Sequence, residues 1–187
     1  MMSTADQKEL LLSRLPCQPK LRIKGPRAEG WLLELGLENP AALFLAVQGA
    51  DGTRVVRYGS QEFVIAGPPG SHRVRDLRAV LRDASQVFET ASEEVELVVE
   101  GADCHAFFAQ TCAINFALAE AHKVILTRLA GASCAILSDP TTSAPRYLIW
   151  VDPSYAHYLW ETLSQIVTDL GGEVRRDEPS ASAAAGR

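Results

Sequence analysis

Two stretches of this chain spell the same pattern. In "LRIKGPRAEGWLLELGL", Leu21 and Ile23 alternate with polar residues and the run stops at Gly25. In "ELVVEGADCHAFFAQ", Leu97, Val99 and Gly101 stand in the same relation, each 76 residues later, and Trp31 falls on Phe107 at that offset. Period-two alternation predicts a half-buried strand, and Ala102, Ala106, Phe107 and Ala109 recur at helical spacing. Asp103 sits in the first turn, where a carboxylate suits the helix dipole. Each copy therefore reads strand, glycine turn, helix.

The repetition continues downstream. "RVVRYGSQEFVIAG", Arg54 to Gly67, reads as two short strands about a Gly-Ser turn, with Val55, Phe63 and Ile65 in β-rich runs. "KVILTRLAGASCAILSD", Lys123 to Asp139, is expected to play that part in the second half. A helix then closes each half. In the first it spans about Ser71 to Arg82, with Val74, Leu77, Val80 and Leu81 on one face. In the second it spans about Ser154 to Leu170, with a stripe of Tyr155, Tyr158, Leu159, Leu163, Ile166 and Val167. Arg146 to Val151 reads as a strand added to the second half, and Gln86 to Thr90 as a link strand. The expected fold class is α+β: internally duplicated strand-helix-strand-strand-helix units, antiparallel sheets with helices packed on one face. Residues 1–15 are expected as a tail or a short amphipathic helix, Gln7 to Leu15. Residues 16–174 form a single compact domain of two similar halves, about 16–85 and 86–174. Residues 175–187 form a polar, disordered tail.

Composition narrows the functional classes. A formal charge of -5 and the lack of a basic stripe argue against a nucleic-acid partner. No apolar run is long enough to span a bilayer. "MMSTADQKELLLSRLP" places an acid before its short apolar run and lacks a small-residue cleavage pattern, unlike a secretory signal. Cys17, Cys104, Cys112 and Cys134 are spread without a C-x-x-C pair, as expected of reduced thiols in a cytoplasmic protein.

"VVEGADCHAFFAQTCAIN", Val98 to Asn115, concentrates Asp103, Cys104, His105, Cys112 and Asn115. Adjacent helical residues point about 100° apart, so Cys104 and His105 diverge, and Cys112 lies more than two turns on. No metal-ligand spacing is present, so no metal is expected. "GPPG", Gly67 to Gly70, lacks the Lys-Ser/Thr end of a phosphate loop, and "AGAS", Ala130 to Ser133, reads as a hairpin turn. Glu94, Glu96 and Glu100 read as a solvated or partner-facing strand edge. Arg75, Arg78 and Arg82 read as a solvated or docking face. In "SYAHYLWETL", Tyr155, His157, Tyr158 and Trp160 exceed what one buried face needs. His157, Tyr158 and Trp160 are therefore the partner-interface candidates. No nucleophile, base and orienter converge, so no catalytic, cofactor or metal residues are assigned.

The order of these segments resembles the gamma subunit of heterotetrameric sarcosine oxidase, a family similar in fold to the folate-binding domains of the glycine-cleavage T-protein. The resemblance covers about Leu21 to Gly171. It rests on "LRIKGP", "YGSQEFVI", "LVVEGADCHAFFAQTCAINFAL" and "YLIWVDPSYAHYLWETL". It implies an accessory subunit of a sarcosine oxidase or related N-methyl-amine oxidoreductase, with FAD, FMN and NAD on a large alpha-type flavoprotein partner and none in this chain. The alternative it implies is a free-standing tetrahydrofolate-binding or aminomethyltransferase-like protein. In folate-binding relatives the position matching Asn115 is typically an aspartate, and that matching Tyr147 is often acidic. Asn115 and Tyr147 thus mark a degenerate folate site, and folate binding is not expected.

Overall fold

The computed structural model describes residues 9–15, 19–68, 70–91, 93–139 and 144–176. In chain order the elements are β1 (Leu11–Arg14), β2 (Lys20–Lys24), α1 (Ala28–Glu34), β3 (Leu45–Gln48), β4 (Arg54–Gly59), β5 (Glu62–Ala66), α2 (Arg73–Leu81) and β6 (Phe88–Thr90). They continue with β7 (Val95–Glu100), α3 (Cys104–Thr111), a single 3-10 turn (Phe116–Leu118), β8 (Val124–Leu129), β9 (Ala132–Ser138), β10 (Arg146–Val151), α4 (Pro153–Asp169) and β11 (Glu173–Arg176).

Two compact units emerge. The first takes Gln18–Glu93 with His122–Ile125; the second takes Met1–Cys17, Glu94–Ala121 and Leu126–Arg187. The first holds a five-stranded sheet, β3-β4-β5-β2-β6, and the second strands belong to a six-stranded sheet, β11-β1-β7-β10-β9-β8. In the first unit, Ala28, Trp31 and Leu32 of α1 and Val74, Leu77 and Leu81 of α2 share one core with Leu21, Ile23, Val55, Phe63 and Ile65. Period-two alternation on the strands delivers those residues to the helix-covered face. In the second unit Leu97, Val99, Ile136 and Ile149 are buried, as are Phe107 and Phe108 of α3 and Leu159, Leu163 and Val167 of α4.

The duplication is written in the strand register. Lys20 pairs Ala66 in the first unit, and Glu96 pairs Trp150 in the second; Lys24 pairs Glu62, and Glu100 pairs Arg146. Val55 pairs Ile65, and Ile136 pairs Ile149. So β2, β4 and β5 correspond to β7, β9 and β10. Each opening strand ends on a glycine of positive φ, 146° at Gly25 and 124° at Gly101. The Gly25 amide donates to the Gln61 carbonyl at 3.0 Å and the Gly101 amide to the Pro145 carbonyl at 3.0 Å. A side chain at Gly25 would run into the Gln86 carbonyl, so the turn there requires glycine.

The strands that precede the repeats are exchanged. β1 precedes β2 in the chain but pairs antiparallel with β7; β6 precedes β7 but pairs antiparallel with β2. Their placements match, since Arg27 N–H donates to Gln86 O at 3.4 Å where Asp103 N–H donates to Glu9 O at 2.8 Å.

Four expectations are corrected. Within the stretch read as a tail or short helix, Leu11–Arg14 is a strand. Its consecutive leucines, Leu10, Leu11 and Leu12, are all buried, as suits an interior strand flanked by β7 and β11. Gln7, Lys8 and the other residues before Glu9 lie outside the described residues. Arg146–Val151 is no insertion: as β10 it is the counterpart of β5, so the hairpin Arg54–Gly67 matches β9–β10 and not Lys123–Asp139. Glu96 is not at a solvated edge, because β7 has neighbours on both sides; the carboxylate is buried and accepts the Trp150 indole N–H at 2.5 Å. Arg175 and Arg176, expected within the tail, are the last two residues of β11 and pair with Ser13 and Arg14. Residues 177–187 lie outside the described residues.

Candidate functional site

The quoted stretch Val98 to Asn115 builds one side of an aromatic cluster. Helix α3 turns Cys104, Phe107, Phe108 and Thr111 inward and leaves His105 exposed. Thr111 Oγ1 bonds back to the Phe107 carbonyl at 2.9 Å, closing the helix. Asn115 follows, with its side-chain oxygen accepting the Ala117 amide at 3.1 Å, so it caps the 3-10 turn that carries Phe116 inward. From β10, Tyr147 meets this turn: its hydroxyl donates to the Phe116 carbonyl at 3.5 Å.

The two positions marked as a degenerate folate site thus both adjoin Phe116: Asn115 precedes it in the chain and Tyr147 bonds its carbonyl. The rings of Phe108 and Phe116 stack at 3.9 Å. Tyr147 stands edge-on to Phe108 at 4.8 Å and to Phe116 at 5.5 Å. Tyr147 is 5% exposed, and burial pushes its phenol up from the ordinary range, with Cys104 adding to the shift. Such edge-to-face and stacked pairs contribute about 0.5–1.5 kcal/mol each beyond their area. Asn115 is exposed, with its side-chain oxygen accepting a backbone amide.

The thiols are not assembled for chemistry. Cys104 Sγ donates to the Pro145 carbonyl at 3.6 Å, and burial, then Glu100 and Asp103, push its thiol up to about 12. Burial pushes Cys134 up to about 12 as well. A thiol so placed is inert, since the thiolate is the nucleophile. Cys112 is half-buried, 3.5 Å from Thr127 Oγ1. Cys17 lies outside the described residues. Among the described residues no three His, Cys, Asp or Glu side chains converge on a metal position.

Helix α4 carries the three interface candidates. Asp152 caps it, accepting the Ser154 amide at 2.9 Å, with Pro153 in the first turn. His157 is exposed and Tyr158 is 52% exposed, with its hydroxyl donating to the Ala130 carbonyl at 2.8 Å. Trp160 is only 3% exposed. Its assignment to the surface is corrected: the buried face is Ala156, Leu159, Trp160, Leu163 and Val167, a stripe wide enough to include both Leu159 and its neighbour. Arg176 of β11 lies 5.5 Å over the Trp160 ring. Tyr155, placed in the stripe by its spacing, is 51% exposed instead.

Sequence reading missed a cleft in the first unit. It holds about 310 Å³ between α1 and the connection from α2 to β6, and is lined by Trp31, Val80, Ala84 and Val87 with Arg27, Glu34, Asp83 and Ser85. The only sequence signal was the exposed end of the Val74–Leu81 stripe at Val80. Gln86, beside the cleft, holds φ at 61°.

No family model matches the chain, and no curated protein matches it. Solved structures do. A chain of the heterotetrameric sarcosine oxidase from Corynebacterium sp. U-96 superposes with a TM-score of 0.72 and 17% identity, over 94% of this chain and 90% of that one. The glycine cleavage system aminomethyltransferase T from Bartonella henselae superposes with a TM-score of 0.66 and 14% identity, over 91% of this chain. This chain shares their fold. It spans 48% of the aminomethyltransferase, whereas the two coverages with the oxidase chain are nearly equal, so those two chains are close in length. The α+β class and the T-protein-like fold expected from the sequence are what these neighbours have. No helix among the described residues is long and apolar enough to cross a membrane.

Proposed function

We propose that this chain is a non-catalytic accessory subunit of a cytoplasmic sarcosine oxidase or related N-methyl-amine oxidoreductase. The carrying observation is the aromatic cluster: Phe108, Phe116 and Tyr147 pack against one another at the positions that the family resemblance ties to folate. The likeness in fold and length to one chain of a heterotetrameric oxidase supports the reading. So does the chemistry of the side chains, since the deeply buried thiols cannot act as nucleophiles. On this reading the redox chemistry belongs to a large flavoprotein partner carrying FAD, FMN and NAD, and this chain contributes a folded body and docking surfaces.

Calorimetric titration with tetrahydrofolate tests the carrying observation. The expected result is no heat of binding at micromolar protein. Low-micromolar affinity would favour the alternative, a free-standing folate-binding or aminomethyltransferase-like protein. Oxidation of N-methyl amines by the purified chain alone would overturn the accessory role.

A further inference from the structure

The two units differ at one edge. In the second unit, β11 runs parallel to β1 and closes the sheet beyond it, pairing Leu11 with Glu173 and Leu12 with Val174. Gly172 leads into β11. A Cβ there would lie 2.7 Å from Val167 Cγ1 and 2.9 Å from the Leu10 carbonyl, so the chain passes in close contact with both. The Leu10 carbonyl accepts the Glu173 amide at 2.9 Å.

In the first unit the register places β6 where β1 stands, with Phe88 at the position of Leu11, Glu89 at that of Leu12 and Val87 at that of Leu10. Among the described residues nothing pairs with the far side of β6. Leu11 is 7% exposed, while Phe88 is 62% exposed. Beside Val87, where the Gly172 segment lies in the second unit, the first unit has the cleft floored by Trp31 and flanked by Val80 and Ala84.

We propose that the β6 edge and this cleft are a strand-addition site for an extended segment of the partner subunit, which runs parallel to β6 as β11 runs along β1. This rests on the subunit reading above. The molecule itself supplies the template for the occupant. A small residue enters beside Val87, as Gly172 does beside Leu10, and the next residue of the strand pairs with Phe88 as Glu173 pairs with Leu11. Edge pairing provides main-chain hydrogen bonds and the cleft provides selectivity, which is how added strands are recognised. The short length of β6 and the Arg78–Glu89 ion pair at 2.7 Å protect the edge from indiscriminate pairing.

The test uses tagged full-length chain expressed in its own host and recovered with its partner, identified by flavin absorbance and by mass. Hydrogen exchange on the recovered complex and on the free chain is expected to show the amides of Phe88–Thr90 slowed at least tenfold in the complex. Phe88→Asp, an exposed position that leaves folding intact, and Ala84→Arg, which blocks the cleft, are each expected to weaken recovery of the flavoprotein at least tenfold. If the flavoprotein is recovered but these amides exchange unchanged and both variants retain it, the strand-addition site is refuted and the subunit reading stands. If the wild-type chain recovers no flavoprotein, both are refuted.

Discussion

Two units built on one repeat end differently. The second unit has a 17-residue helix, a buried tryptophan on it and a strand returning along β1. The first has a 9-residue helix that reaches β6 through residues 82–87, leaving Val80 and Phe88 exposed. Equivalent register positions are conserved in shape but not in chemistry: Lys20 and Glu96 are both buried there, with opposite charge. In the second unit β1 has β11 paired along its outer side. In the first unit the corresponding strand, β6, leaves Phe88 exposed with a cleft beside it.

The comparison is broken most severely through helix α4. Trp160→Ala is expected to cost about 3–5 kcal/mol in urea unfolding, as for other buried aromatics. Val80→Ala on α2 should stay within about 0.5 kcal/mol. Equal costs would mean that the two closing helices are equally exposed, contrary to the account. Next comes the exchanged strand. Leu11→Ala is expected to cost about 2–5 kcal/mol, against about 0.5 kcal/mol or less for Phe88→Ala at the equivalent exposed position. The closing turn follows. Gly172→Val should destabilise the chain by about 1–3 kcal/mol through overpacking against Val167 and Leu10, read as a lower urea midpoint.

Much of this was legible in the sequence. The alternation at Leu21–Ile23 and Leu97–Val99, each ending on glycine, gave the repeat, because a strand that buries one face must alternate and a turn at positive φ favours glycine. What could not be read was non-local. β1 and β6 pair outside their own repeats, and no local period reports which strand a segment will meet. β10 looked like an addition because the spacing between the repeats changes along the second half, while the pairing register does not. Trp160 looked peripheral because it follows Leu159, yet α4 is covered over a wide arc, with Arg176 of β11 lying over the indole. For the candidate site, Asn115 and Tyr147 were named through the family resemblance, but Phe108 and Phe116 were not, since only the fold stacks them.

A smaller effect sharpens the comparison through pH. The Cys104 thiol of α3, raised from 9.0 to about 12, is replaced at the equivalent place in α1 by Ala28. Below about pH 9 both folded and unfolded chains keep the thiol proton, and the stabilisation is fully present. Above it the unfolded chain releases the proton while the folded chain holds it, so stability falls as pH rises towards about 12. Cys104→Ala is expected to flatten this alkaline slope in chemical denaturation; an unchanged slope would place its cause elsewhere.

The measurement that bears most directly on the central claim is the native mass and visible spectrum of the protein isolated from its own host under gentle conditions. The account predicts a hetero-oligomer with flavin absorbance, in which this chain is the small subunit. A lone chain without flavin, or one carrying bound folate, would contradict it.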